Sequence, residues 1–276
     1  MTSAQLPALV RVRWQMVRVE RVRVGLLCIA ALIPGLLCGA VIAGQLLPHS
    51  SSFDGTVLAP TAFLGFAVLS LVAPLAAGGG NELFPTEQLV AFPIRPSTSF
   101  FESLLVAPLN LAWMSQFVVL FGTTSFVTGA HPGLGLALVT TLVYVAMVTT
   151  AGQLVAWLLI GVRQSESGRR AVWVAMGALA LATVGVVRAH LGYAVLNHAP
   201  TRPVVATVMA GADHRYAAWG LGTVALCALL LGWLWCGQRA CAWALRRPGG
   251  RSRFREARAE RRRPAARTAL LALIRL

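Results

Sequence analysis

Charged side chains divide this chain into long apolar stretches. Arg23 to Pro48 encloses residues 24–47, and Asp54 to Glu82 encloses 55–81. Between Glu102 and Arg163 there is no charge at all, but His131-Pro132-Gly133 breaks that run in two. Arg170 to Arg188 encloses 171–187, and Arg215 to Arg239 encloses 216–238. These boundaries predict helices at about 24–47, 56–78, 103–128, 134–160, 171–187 and 216–237. A hydrocarbon core about 30 Å thick needs about 20 apolar residues per helix, so 171–187 sits at the short end of the range. Strands are set aside, because lipid tolerates only helices or closed barrels and these runs lack a barrel's alternation. The expected fold is therefore all-α: a polytopic membrane helical bundle of six transmembrane helices.

Arginine placement orients that bundle. Alternate threading puts Arg11, Arg13, Arg18, Arg21, Arg23, Arg95, Arg163, Arg169, Arg170 and the twelve arginines from Arg239 onward on one side. The other side receives only Arg188, Arg202 and Arg215. Positive residues in short flanking loops stay cytoplasmic, so both termini are expected inside the plasma membrane. Residues 1–23 read as a basic lead-in, either an interfacial helix with Trp14 at the headgroup level or an ordinary charged flank. The first apolar run is too long for a cleavable signal peptide. Residues 239–276 read as a basic cytoplasmic tail.

Composition narrows the class. The chain is 57% hydrophobic and 12% charged, with mean hydropathy +0.70, a balance that suits a small helical bundle in lipid. The net charge of +15 raises nucleic acid as a partner. The arginines flank membrane segments, however, so anionic inner-leaflet lipids are the expected partner and nucleic acid is not.

Little points to chemistry. The chain has no lysine, and a Walker A loop needs one on the phosphates, so Gly78-Gly79-Gly80 is no P-loop. The five cysteines show no CxxC spacing. Cys28, Cys38, Cys227 and Cys236 fall in the first and sixth stretches, with Cys241 placed in the tail. All five histidines fall in expected outer loops without HExxH spacing. The nine carboxylates sit at or outside the ends of the stretches, whereas a proton-driven transporter wants a titratable group near the midplane. No catalytic residue, metal site or cofactor is expected. Asn110, Gln116 and Gln153 have two readings, as bonds between helices or as the lining of a substrate path.

Two further segments carry information. Residues 78–101 form an inner connection in which Glu82, Glu87 and Arg95 alternate with Phe84, Leu89, Val90, Phe92 and Ile94. Pro85 precedes and Pro93 ends a stretch, 86–91, long enough for a short amphipathic helix. Such a helix suits docking of a soluble partner, with a well-packed loop as the alternative. At the two ends, Leu270–Leu276 parallels Leu6–Val12, either by chance in apolar sequence or as the start of a second copy of the unit.

The run Asn81-Glu82-Leu83 through Phe92-Pro93-Ile94-Arg95-Pro96, within six spans with both ends inside, resembles the permeases of ABC type-2 exporters. Among them it is most similar to the first half of long actinobacterial permeases built from two six-span units in tandem. The resemblance covers the topology of nearly the whole chain and about twenty residues of motif. It implies a transmembrane subunit without enzymatic activity, coupled to a separate cytosolic P-loop ATPase. That ATPase would dock on Glu82, Leu83, Glu87, Leu89, Phe92, Pro93, Ile94 and Arg95. It also implies a homodimer or a second six-helix repeat. A non-transporting membrane scaffold or assembly protein is the main alternative, and a secondary transporter a further one. Neither the substrate nor the lining of its path can be read from the residues.

Overall fold

A computed structural model describes residues 34–46, 55–76, 96–107, 111–129, 131–163, 165–189 and 199–246. Among them lie eight α-helices and no strand. In chain order they are α1 (Pro34–Leu46), α2 (Gly55–Ala76), α3 (Pro96–Val106), α4 (Leu111–Thr128), α5 (Leu134–Arg163), α6 (Glu166–Arg188), α7 (Arg202–Ala212) and α8 (Tyr216–Arg246). Helices α5 and α8 are long and apolar enough to cross a membrane.

Helix α5 is the hub and packs on α2, α3, α4, α6, α7 and α8. Its sequence explains why. It carries no charge before Arg163, so no face of it prefers water, and a helix apolar all round is one that neighbours surround. Small and hydroxylated residues then shape its surface, with Ala137, Thr140, Thr141, Gly152 and Ala156 all buried.

Side-chain hydrogen bonds fix the neighbours to this hub. The Tyr144 hydroxyl donates to the Phe63 carbonyl of α2 at 2.7 Å. The Trp113 indole of α4 donates to Thr149 Oγ1 at 2.9 Å, and Thr124 and Thr141 hydroxyls pair at 3.1 Å. From α8, the Trp219 indole donates to Thr140 Oγ1 at 2.8 Å. Around Tyr144 the core fills with Phe63, Phe66, Phe117, Leu120 and Phe121. Their rings meet tilted, stacked or edge-on, at centroid distances down to 4.5 Å.

Glycines set the closest approaches. Gly44 of α1 lies against the backbone of α4 at Gly122. One residue on, the Gln45 amide donates to the Ser125 carbonyl at 3.0 Å and the Gly129 carbonyl at 2.7 Å. Both carbonyls stand at the end of α4, where Gln45 adds a donor to the Gly129 amide and Thr128 hydroxyl already on Ser125. Gly152 of α5 meets the Ser70 carbonyl of α2 so closely that a methyl group there would collide with it.

Several boundaries differ from the sequence reading. Over the stretch 103–128 the described residues hold the end of α3, which starts earlier at Pro96, and all of α4 from Leu111. Helix α6 starts at Glu166 rather than 171, because Ser165 Oγ accepts the Gly168 amide at 3.0 Å and caps the first turn. The short apolar run Val204–Met209 is part of α7, and its inner face is buried against α5 and α8. The basic tail was expected from residue 239, and the helix runs past that point. Helix α8 continues to Arg246, since no proline interrupts it before Pro248 and the Arg239 guanidinium rests over the Trp235 ring at 4.9 Å. Cys241, placed in that tail by the sequence, is a fully buried helix residue.

Between α7 and α8 the chain reverses tightly. His214 adopts φ 57°, while the Arg215 amide bonds the Ala210 carbonyl at 2.8 Å and the His214 amide bonds Gly211 at 3.3 Å. This left-handed helix end satisfies the last carbonyls of α7.

Two substitutions test the hub. Gly152→Ala should destabilise the protein by about 1–3 kcal/mol through overpacking on Ser70, whereas Gly135→Ala, with open space around it, should not. Thermal unfolding of the two variants in the same detergent compares them. Tyr144→Phe should cost about 1 kcal/mol for the lost bond to α2 in the same assay.

Candidate functional site: the foot of the helix after residues 81–95

The predicted docking residues Glu82, Leu83, Glu87, Leu89, Phe92, Pro93, Ile94 and Arg95 lie outside the described residues, as do the echo segments 6–12 and 270–276. The described chain resumes at the next residue, Pro96, which opens α3. Proline suits this first position, having a helical φ and no amide to leave unpaired.

Helix α3 is short but heavily anchored. Thr98, Ser99, Phe100 and Ser103 are buried, and Phe100 has no exposed surface. The Phe100 ring lies directly on Gly237 of α8, where any larger residue would collide. The Cys241 thiol donates to the Pro96 carbonyl at 3.2 Å. From α5, the Trp157 indole reaches Ser103 Oγ at 3.4 Å, and that hydroxyl donates to the Phe100 carbonyl at 2.8 Å. Leu154, Ala240 and Ala244 complete this cluster. The first residue after 81–95 is thus wedged between the two longest helices, at their arginine-bearing ends.

Beside the wedge is an open cavity of about 640 Å³ between the first turn of α3 and the last turns of α8. Pro96, Ser97, Gln238, Arg239, Trp243 and Arg246 line it, with Ala242. Trp243 packs in turn on Gly161 of α5. Among the described residues, no acidic side chain occupies the first turn of α3 or lines the cavity.

The remaining polar groups are spread out. Gln153 is buried in α5, and its Oε1 has no hydrogen-bond partner; nor does Ser70 Oγ of α2. Gln116 is half-buried on α4, and Asn110 lies outside the described residues. At the opposite end, Asp213 faces His131 at 4.0 Å and Arg215 at 3.4 Å, all well exposed. Exposed pairs of that kind contribute little to stability. Among the described residues no three His, Cys, Asp or Glu side chains converge as metal ligands.

Sequence reasoning missed Phe100, Trp157 and the small-residue face of α8. A signal for that face was present: Gly237, Ala240, Cys241 and Ala244 recur at helical spacing, as close helix contacts require. Comparison with protein-family models, with curated proteins and with solved structures finds no match to this chain.

Phe100→Ala should loosen the wedge and cost about 3–5 kcal/mol, the range for a buried aromatic removed from a core. A lowered unfolding midpoint checks the cost. Proteolysis in detergent should also become faster near residue 96 than elsewhere.

Proposed function

We propose that this chain is the transmembrane permease subunit of an ATP-driven exporter of the ABC type, whose ATPase is a separate cytosolic subunit docking on residues 82–95. The observation that carries the reading is the anchoring of α3. A docking segment does work only if the residue following it is rigidly joined to the spanning helices, and Pro96 is joined to α5 and α8 through Phe100, Ser103 and Cys241. Three further features support it. The motif resemblance spans 81–96, the arginines gather on one side, and six of the eight helices lie on the six apolar stretches.

The mechanism follows from what the segment connects. Residues 77–95 join α2 to α3. Closure of two ATPase subunits displaces this connection. Helix α3 transmits the push to α5 and α8 as one block, against which α2 turns about its Tyr144–Phe63 bond. Alternation of this shift opens a substrate path first to one side and then to the other. Two six-span units form the working transporter, as a homodimer or a tandem. The bundle lies in the plasma membrane with both termini inside.

The test is association. Affinity-tagged chain extracted in mild detergent should co-purify a Walker A protein with ATPase activity. Glu82→Arg or Glu87→Arg should abolish that association and leave membrane insertion intact. Recovery of the chain from membranes with no ATPase, under several detergents, would favour a scaffold instead, and transport driven by a proton gradient without ATP would favour a secondary transporter. Cysteine labelling that placed residue 92 outside the cell would sink the docking assignment itself.

A further inference from the structure

Among the described residues, the walls of the cavity at the foot of α3 carry cationic and neutral donors and no acidic side chain. Arg239 and Arg246 stand on one face of α8, seven residues and so about two turns apart. Gln238 and Ser97 add neutral donors. The first turn of α3, the positive end of its dipole, borders the same space at Pro96 and Ser97, and among the described residues no acidic side chain stands there. Guanidinium groups pair with phosphate through two parallel N–H···O bonds, a geometry that favours a phosphate group over a simple halide.

The same face of α8 continues as a greasy track. From Arg239, steps of four and three residues lead to Trp235, Leu231, Ala228, Val224 and Leu221, all exposed. Trp235, Leu231, Val224 and Leu221 are 59%, 65%, 66% and 76% exposed. At 1.5 Å per residue the stretch from Trp235 to Leu221 is about 21 Å long, more than the roughly 15 Å of acyl chain in one leaflet. Tryptophan at the junction of arginine and leucine is where an aromatic side chain meets the headgroup level. A soluble phosphate compound would use the cavity and ignore the track, whereas a phospholipid uses both.

We propose that this cavity binds the phosphate of an anionic phospholipid, with Arg239 and Arg246 on the headgroup and the acyl chains along Trp235, Leu231 and Val224. The assignment rests on the membrane reading given above and on no property of the ATPase. A lipid held here would brace α3 against α8 beside the Phe100 contact and so set the stiffness of the wedge.

The full chain, purified in mild detergent, is incubated with phosphatidylglycerol or phosphatidylcholine, washed, and assayed for retained lipid phosphorus. Phosphatidylglycerol should be retained in preference to phosphatidylcholine. The double substitution Arg239→Gln with Arg246→Gln should lower its retention on the order of tenfold, as expected for loss of charge-assisted bonds. Ser97→Ala should lower it less, in the same direction. Arg169→Gln with Arg170→Gln removes the same charge from exposed positions on α6 and should leave retention unchanged. Equal loss in the two double variants would reduce the effect to bulk surface charge and overturn the site. Displacement of the lipid by inorganic phosphate would assign the cavity to a soluble phosphate and overturn the lipid. Equal retention by the unsubstituted chain and the Arg239/Arg246 variant would mean that the cavity is already filled, for example by another part of this chain, and would also overturn it. Circular dichroism confirms that each variant keeps its helix content. Recovery in the membrane fraction and co-purified ATPase are read on the same samples, so failure of the lipid site is distinguishable from failure of the transporter reading.

Discussion

The structure depends on one constraint: its central helix α5 has no charged residue along 134–162, yet six neighbours must hold a defined position against it. Apolar contact alone is non-directional and lets helices slide. Where the surroundings are also apolar, it gives little preference for one helix over another. Direction is supplied by hydroxyl and indole groups spaced along α5. Thr140, Thr141, Tyr144, Thr149 and Trp157 each pair with a different point on α8, α4, α2, α4 and α3. None of these groups is charged, so burying them costs no ionic desolvation, and each bond satisfies a donor that would otherwise be stranded.

Register then propagates outward through small residues. Gly44 against Gly122, Gly152 against Ser70 and Gly237 against Phe100 allow approaches that any side chain would block. The hydroxyl bonds and the glycine contacts reinforce each other. A slip of one residue along α5 would break a hydrogen bond and drive a side chain into a backbone carbonyl at the same time. The outer faces show no such specificity. Helix α6 buries Val172 and Gly168 against the hub and leaves Trp173, Val174, Leu181 and Val184 exposed.

How much of this was legible in the sequence varied with the kind of signal. The all-α class and the positions of the helices could be read because charges and prolines interrupt apolar runs, and both act locally. The ends were read less well. Arginine was taken as a stop, yet Arg239 and Arg246 are helical, because a long flexible side chain can carry its charge away while its backbone stays in register. The wedge was not legible as a site. Phe100 and Gly237 lie 137 residues apart in the chain, and nothing in either neighbourhood names the other; only the small-residue periodicity of α8 hinted that something large must pack there. The proposed docking residues rest on a motif resemblance, and that motif ends where α3 begins.

The proposed motor contact requires that α2 and the α3–α5–α8 block be able to part, and the bonding between them is uneven in the direction that permits it. Near its middle, α2 is held by the Phe63 carbonyl on Tyr144 and by the Phe63 and Phe66 rings around it. Seven residues further toward the segment, at Ser70, the helices touch as closely but without bonding, since Ser70 Oγ and Gln153 Oε1 both lack partners. Each such buried orphan costs about 1–3 kcal/mol, so separating the helices there forfeits packing but recovers hydration or a substrate bond. At α3 the opposite holds, because the thiol, the indole and the hydroxyl are all engaged. A displacement of the segment between α2 and α3 therefore meets less resistance at the Ser70–Gln153 seam than at the Phe100 wedge. Under the proposed function, Tyr144 would be the pivot and the helices would part beside Gln153, whose Oε1 lacks a partner among the described residues.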